Sequence, residues 1–447
     1  MKISAFLLSF SLFINCCIIS SFSQTVKILK GVTLIDGTGA GSRQNVNVVI
    51  KGDVIDAILS SNASLPNGAT VTDYSGKFVM PALINGHCHL GLLKGDKSSP
   101  NNYTRENVLR HLEKYEQYGI SIVLSLGTDR EIIFPLRDSS RKGLLPGATI
   151  YTAGYGLTAM GSSPPANLST DLRRPQTIEE AVKDVDQLAL LKPDFVKIWV
   201  DDFFGTAIKM QPEIYEAVIK EAHKKGLRVA AHVYYLEDAK RLVNAGVDAL
   251  AHSIRDKEVD NELINAMKQK GVYYIPTLTL DEYNIIYADD PAWVNDPFFK
   301  SSLEPGVGDR LTSTAFRQQL QNDTTLPIKK AAFEMAMRNL KKLADAGIVI
   351  VLGSDSGAQP VRTQGFSEHL ELQLMVEAGL TPMQAIVAAT NNGAKLLQIN
   401  KQYGTLTTHM KADFIVLGGD PLSDIKQTRN IVAVWKNGAQ VGSGIGN

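Results

Sequence analysis

His87 and His89 are the first residues in this chain whose type and spacing point to chemistry. On an extended strand, residues two apart project to one side, so the two imidazoles converge on one point. A divalent cation is the usual reason for such convergence, since neutral imidazole is a common metal ligand. Cys88, between them, points the other way and reads as packing. Further on stand Lys197, His232, His252 and Asp355, each inside or at the end of a strongly apolar run. Each has an ordinary use taken alone. A strand-end histidine is commonly a hydrogen-bonded structural residue, and an aspartate after Gly353-Ser is commonly a turn or N-cap residue. Lys197 has Asp201 and Asp202 nearby in sequence as ion-pair partners. Brought to one mouth, however, four imidazoles, one amine and one carboxylate form a ligand set for two divalent cations.

The elements that must position them alternate in type. Runs at 120–127, 148–154, 194–200, 227–234, 248–252, 273–277 and 348–355 have the composition of buried strands. Helical spacing of apolar residues occupies 177–189, 212–224, 236–244, 262–269 and 328–344, the first opened by an N-cap Thr177 and Glu180. With 77–80 taken as the strand leading to His87, eight strands alternate with helices, which predicts an α/β fold built on a closed (β/α)8 TIM barrel. Functional groups of such barrels project from the C-terminal ends of the strands. His87 and His89 fall at the first, Lys197 within the fourth, His232 at the fifth, His252 at the sixth and Asp355 at the eighth. The stretch 281–326 is too long and polar for a bare connection and is expected to form a lid or wall. Both chain ends carry short strands, at 26–36, 46–58, 413–417 and 431–438, with a turn at Gly52-Asp53. They predict a small composite β-sandwich domain from 24–76 and 404–447, beside a barrel domain at 77–403.

Bulk properties narrow the class. The chain has 447 residues, 44% hydrophobic, enough for one large core and a smaller one. Lys+Arg and Asp+Glu number 46 each, so no net field favours nucleic acid or anionic lipid. Lys2, an apolar run at 5–19, and small Ser21 and Ser23 before Gln24 read as an export signal at 1–23. The expected location is periplasmic or secreted, with no membrane span after cleavage; Cys16 and Cys17 offer lipid attachment in the cell envelope as the alternative. Cys88 is then the one cysteine left, which excludes an intramolecular disulfide.

These motifs, in this order, resemble the amidohydrolase superfamily. The resemblance is carried by His87-Cys-His89 after 79–84, by Phe195-Val-Lys-Ile198 and Ala231-His-Val-Tyr234, by 368–382, and by the tail segments 389–397, 404–406, 411–417 and 432–438. Within the superfamily the chain is most similar to the branch holding imidazolonepropionase and the Xaa-Pro and Xaa-Arg dipeptidases. Ala82 and Asn85 replace the usual Gly and Asp, and Ala251-His-Ser253 replaces Glu-His-Gly, while the ligand positions are intact. The resemblance implies an N6-carboxylysine at Lys197 bridging two metals, with His87, His89 and Asp355 on the first and His232 and His252 on the second. It implies a bridging hydroxide as nucleophile, with Asp355 taking its proton and returning it to the leaving amine. Zn²⁺ suits a histidine-rich site, and Mn²⁺, Fe²⁺ or Co²⁺ would also bind. Tyr234, on the same face as His232, is the candidate oxyanion donor. Arg255 is the candidate for a substrate carboxylate, with an ion pair to Asp256 as its ordinary alternative. Imidazolonepropionases work with one metal and lack the bridging lysine, so Lys197 directs the expectation to hydrolysis of a dipeptide or N-acyl amino acid. A hydrolase of lactones or cyclic amides, a deaminase and a non-catalytic scaffold are the rivals. The expected partner is a small molecule; a homo-oligomer is left open. His111, His223, His369 and His409 read as structural.

Overall fold

The structure, a computed structural model, describes residues 25–165, 168–169, 171–289 and 291–445, so the segment read as an export signal lies outside them. Period-two alternation sets the barrel wall. In Val196–Val200, Val196, Ile198 and Val200 pack outward against the helices, while Phe195 enters the inner core and Trp199 faces a cavity. Lys197 shares the inward face with them, between floor and mouth. Val229–Val233 repeats the pattern, with Ala231 and Val233 outward, Ala230 in the floor and His232 on the cavity.

Leu83–Cys88, Ile120–Ser125 and Thr149–Thr152 form one parallel ladder. Val196–Val200, Val229–Val233, Ala249–Ala251 and Tyr273–Ile275 form another. A parallel bridge from Leu157 to Ile198 joins the two. Residues 349–354 supply the eighth position: Val351 N donates to Tyr274 O at 2.9 Å, Gly86 N to Leu352 O at 2.8 Å and Ser354 N to His87 O at 3.1 Å. The ring is thereby closed as a (β/α)8 barrel. Ile84, Leu124, Phe195, Ile275 and Val351 fill its floor, with Ala394 and Leu396 of the helix Asn391–Leu396 beneath. Each large side chain buried there contributes roughly 1.5–3 kcal/mol. The helices Ile178–Leu190 and Asn261–Lys270 start at Thr177 and Asp260, whose side chains accept from the N–H groups of Glu180 and Leu263.

The first strand departs from expectation. Residues 77–80, expected to lead to His87 in the barrel, belong to Phe78–Pro81, which pairs with Phe414–Leu417 and Val26–Leu34. The barrel strand carrying His87 is Leu83–Cys88. Phe78–Pro81 sits mid-sheet, in the order 439–443, 431–436, 414–417, 78–81, 26–34, 43–51, 54–60, with 70–73 also beside 26–34. Leu29, Ile50, Val79, Phe414 and Trp435 make the core of this sandwich, the Phe414 and Trp435 rings stacking at 5.3 Å.

The stretch 281–326 also differs from a simple lid. Among its described residues, Asp281 and Asn284 alone line the cavity, so it contributes to the wall without covering the mouth. Its short helices carry Tyr287, Trp293 and Phe299; Tyr287 packs on Trp293, and Trp293 and Phe299 pack on Phe366 of the helix Phe366–Glu377. Aromatic burial draws this segment into the body of the protein.

Candidate active site

A cavity of about 300 Å³ opens at the C-terminal end of the barrel, with His87, His89, His232, His252 and Asp355 at its base. Nε2 of His89 lies 2.9 Å from Asp355 Oδ1, and Nε2 of His87 lies 3.3 Å from the same oxygen. One ligand atom from each of these three residues falls within 4.8 Å of the others. The His252 ring stands 4.6 Å from that of His87 and 4.3 Å from that of His232. The structure thus brings five of the six expected ligands into one buried cluster, and Lys197 lies fully buried beside them.

Three imidazoles are oriented by a partner on their outer nitrogen. His89 Nδ1 meets Thr128 Oγ1 at 2.6 Å, His252 Nδ1 meets Thr277 Oγ1 at 2.7 Å, and His232 Nε2 meets Asp201 Oδ2 at 2.8 Å. The inner nitrogen of each is left for the cluster, the usual arrangement around a metal-binding histidine. Burial pushes the pKa of His87, His232 and His252 down, which keeps these rings neutral and able to ligate.

Lys197 pairs with neither Asp201 nor Asp202, the partners its ordinary reading offered. Asp201 is taken by His232, and Asp202 accepts from Tyr235 Oη at 2.6 Å. The Lys197 amine is buried without a hydrogen-bond partner. An unpaired buried ammonium costs several kcal/mol, so the neutral amine is favoured. Burial accordingly pushes its pKa down to about 7, with Asp355 opposing. Gly127, at φ +92°, makes room for this side chain: a Cβ there would stand 2.6 Å from Lys197 Cγ.

Asp355 is neither an N-cap nor a plain turn residue. Burial works against its ionisation, but the Arg362 guanidinium and the hydrogen bond from His89 outweigh that and hold its carboxyl well below the usual range. Arg362 forms an ion pair with Oδ2. Asp355 sits at φ +54°, as His252 does at +73° and Thr277 at +47°. Each such non-glycine conformation costs roughly 1–3 kcal/mol and clusters where the surroundings enforce a site.

The enforcing structure includes Glu368, fully buried on the helix Phe366–Glu377. It accepts from Ser354 Oγ at 2.5 Å and Ser356 Oγ at 2.7 Å, on either side of Asp355, and from Asn85 Nδ2 at 2.7 Å. Asn85 Oδ1 in turn accepts from His87 N at 3.0 Å. One carboxylate therefore braces two cluster residues.

Tyr234 and Arg255 both line the cavity, the guanidinium lying 4.7 Å from the Tyr234 ring. Burial pushes the Tyr234 phenol up to about 12, so it remains a donor at neutral pH. Arg255 pairs with Asp281 at 3.2 Å and not with Asp256, which instead accepts from Leu236 N at 2.8 Å. Thr128, Thr277 and Arg362 are site residues that the sequence did not single out and that carry no local mark. Asp201 was named there only as an ion-pair partner for Lys197, and Glu368 only as the first residue of the segment 368–382. His111, His223, His369 and His409 lie outside the cavity lining.

The amidohydrolase family profile matches residues 78–441. An imidazolonepropionase of Streptomyces griseus is 22% identical over 419 residues, covering 92% of this chain and 95% of that protein. An uncharacterized protein of Mycobacterium bovis is 24% identical over 234 residues, which are 50% of this chain and 56% of that relative, so the match spans little more than half its length. Among solved structures, an Xaa-Pro dipeptidase with methionine bound in its active site is 25% identical at a TM-score of 0.73, covering 93% of this chain and 100% of that one. A molinate hydrolase shares the fold at 20% identity and a TM-score of 0.72, over 94% of this chain and 95% of that one.

Proposed function

This chain belongs to the amidohydrolase family, and from that membership we propose that it hydrolyses an amide bond in a dipeptide or N-acyl amino acid with the help of two divalent cations. The observation that carries the reading is the buried cluster of four imidazoles and one carboxylate beside a lysine amine that has no hydrogen-bond partner. Uncompensated burial of this kind is explained by cations that complete the ligand shell. His87, His89 and Asp355 would hold one, and His232 and His252 the other. Lys197 would join them as N6-carboxylysine, because a neutral amine adds CO₂ with loss of a proton and becomes an anion. When bound, such cations polarise a carbonyl and bring the pKa of a coordinated water to about 7.

The chain's own residues supply the rest. Asp355, kept ionised, takes a proton from the attacking water and passes it to the leaving nitrogen. Tyr234 donates to the oxyanion, and Arg255 with Arg362 faces a substrate carboxylate. In the overall reaction water oxygen bonds to the carbonyl carbon, the C–N bond breaks, and the nitrogen leaves as an amine.

The direct test is elemental analysis of protein produced with added Zn²⁺ and bicarbonate, joined to a panel of linear amides, lactones and cyclic amides. About two metals per chain and hydrolysis of linear amides are expected. One metal per chain, with activity confined to cyclic amides, would sink the reading in favour of an imidazolonepropionase-like reaction. Tyr234→Phe should lower kcat about 100-fold with little change in KM. A drop confined to KM would assign Tyr234 to substrate binding alone. The export reading predicts that protein recovered from the envelope or medium begins at Gln24; cytosolic protein retaining Met1 would end it.

A further inference from the structure

The cavity has two unlike walls. Over the third and fourth barrel strands it is lined by Pro164, Leu168, Phe203 and Phe204, with Trp199 below. Over the sixth to eighth it carries the charged and amide groups of Arg255, Asp281, Asn284, Lys329, Gln359 and Arg362, set among the smaller apolar patches of Leu280, Ala332 and Ala358. In a ring of eight strands these two arcs face each other across the mouth.

Hydrogen bonds hold parts of the apolar wall. Arg174 donates to the carbonyls of Ala159 at 2.9 Å, Ser162 at 3.2 Å and Pro164 at 2.5 Å, fixing residues 159–164 after the third strand. After the fourth, Asp201 Oδ1 accepts from Phe203 N at 2.9 Å and Asp202 Oδ1 from Gly205 N at 3.1 Å. Between these pins Phe203 and Phe204 adopt φ of +49° and +62°, a region that bulky residues rarely enter. The Phe203 ring lies 5.4 Å from that of His232 and the Phe204 ring 5.1 Å from that of Tyr234. Phe204 is nevertheless 48% exposed, and Met160 and Ile208, 50% and 60% exposed, carry the apolar rim outward. Polar groups beneath thus hold apolar side chains toward solvent beside the reacting groups.

The placement of carboxylates matters as much. A dipeptide brings an α-ammonium on the acyl side of its scissile bond, which needs an acceptor there. Among the described residues, Asp201 is the one carboxylate lining the apolar arc, and it already accepts from His232 and from Phe203 N. Asp281 lies on the opposite wall, where Oδ1 pairs with Arg255 and Oδ2 has no hydrogen-bond partner, so its free acceptor is on the amine side of the proposed substrate and not on the acyl side.

We propose that the apolar wall receives the acyl half of the substrate, so that the preferred substrates are N-acyl amino acids with an extended alkyl or aryl acyl group. Dipeptides with a free amino terminus are disfavoured. This rests on the amidase reading above and fixes its orientation: the acyl chain lies along Phe204, and the carboxylate of the amine half faces Arg255 and Arg362. The products are an apolar carboxylic acid and a free amino acid.

The test uses the zinc-replete full chain with N-acetyl-, N-octanoyl- and N-phenylacetyl-alanine beside leucyl-alanine. The octanoyl and phenylacetyl substrates should exceed both others in kcat/KM by about tenfold or more. Phe204→Ala should cut the octanoyl-to-acetyl ratio about tenfold, and Phe204→Leu should restore most of it. Binding gives an ordering without turnover: octanoate should bind the chelator-treated chain about tenfold more tightly than acetate, with the difference reduced in Phe204→Ala. Leucyl-alanine hydrolysed as well as the best acyl substrate, or ratios that Phe204→Ala leaves unchanged, would overturn the proposal. Failure of the zinc-replete chain to hydrolyse any linear amide would instead overturn the amidase reading beneath it.

Discussion

Asp355→Asn is expected to lower kcat/KM roughly 10⁴-fold while leaving the fold in place. Asparagine keeps the size of the side chain and one oxygen for His89, so the φ of +54° and the brace from Ser354 and Ser356 to Glu368 remain. What is lost is an ionised oxygen between two imidazoles and a guanidinium, and with it the group able to take and return a proton. General acid–base groups contribute about 10²–10⁴-fold, and a second loss through weakened cation binding is expected on top. The measurement is kcat/KM at saturating Zn²⁺, with the melting temperature as control. A variant within tenfold of the parent, folded and metal-replete, would remove Asp355 from the chemistry.

Lys197→Ala is expected to be nearly as damaging, for a different reason. The parent lysine is fully buried, its amine partnerless, its pKa pushed down to about 7. Alanine removes an awkward group from the interior, so stability should hold or rise slightly while the anion needed between two cations disappears. Metal content should fall from about two to about one per chain, and activity by about 10³-fold or more. The truncation leaves space beside Gly127 that a short carboxylate can enter. Added acetate or propionate should then recover part of both metal content and activity. Full metal content and activity in the variant would mean that Lys197 is no bridge.

The candidate ligands were legible because they sit where period-two strands run out into loops, a position with a sequence signature. Their supports were not. Glu368 meets Asn85 across 283 residues, a contact that only ring closure creates, and His89 meets Thr128 across 39, a contact that needs the first two strands paired in register. Arg255 illustrates the same limit. Proximity in sequence favoured Asp256, whereas the barrel turns Arg255 toward Asp281 and gives Asp256 to a backbone amide. The first strand failed for a local reason. Phe78–Pro81 and Leu83–Cys88 are both apolar and extended, separated by Ala82 alone, whose N–H donates to Asp413 O at 3.0 Å. At that residue the chain passes from one sheet to the other, marked in the sequence only by the preceding Pro81. The segment 281–326 was expected to form a lid or wall from its polar composition; Asp281 and Asn284 do line a wall, while its few aromatics draw the rest into the body of the protein.

The sheet shared by the two chain ends also dictates when the molecule is finished. Lys27 donates to Gly438 O at 2.6 Å across 411 residues, and Phe78–Pro81 finds its antiparallel partner only in Phe414–Leu417. Until those last residues have been synthesised, Phe78–Pro81 presents an unpaired edge. A nascent chain on the ribosome therefore cannot zip shut, however complete its barrel, and its ordering waits on release of the C-terminus.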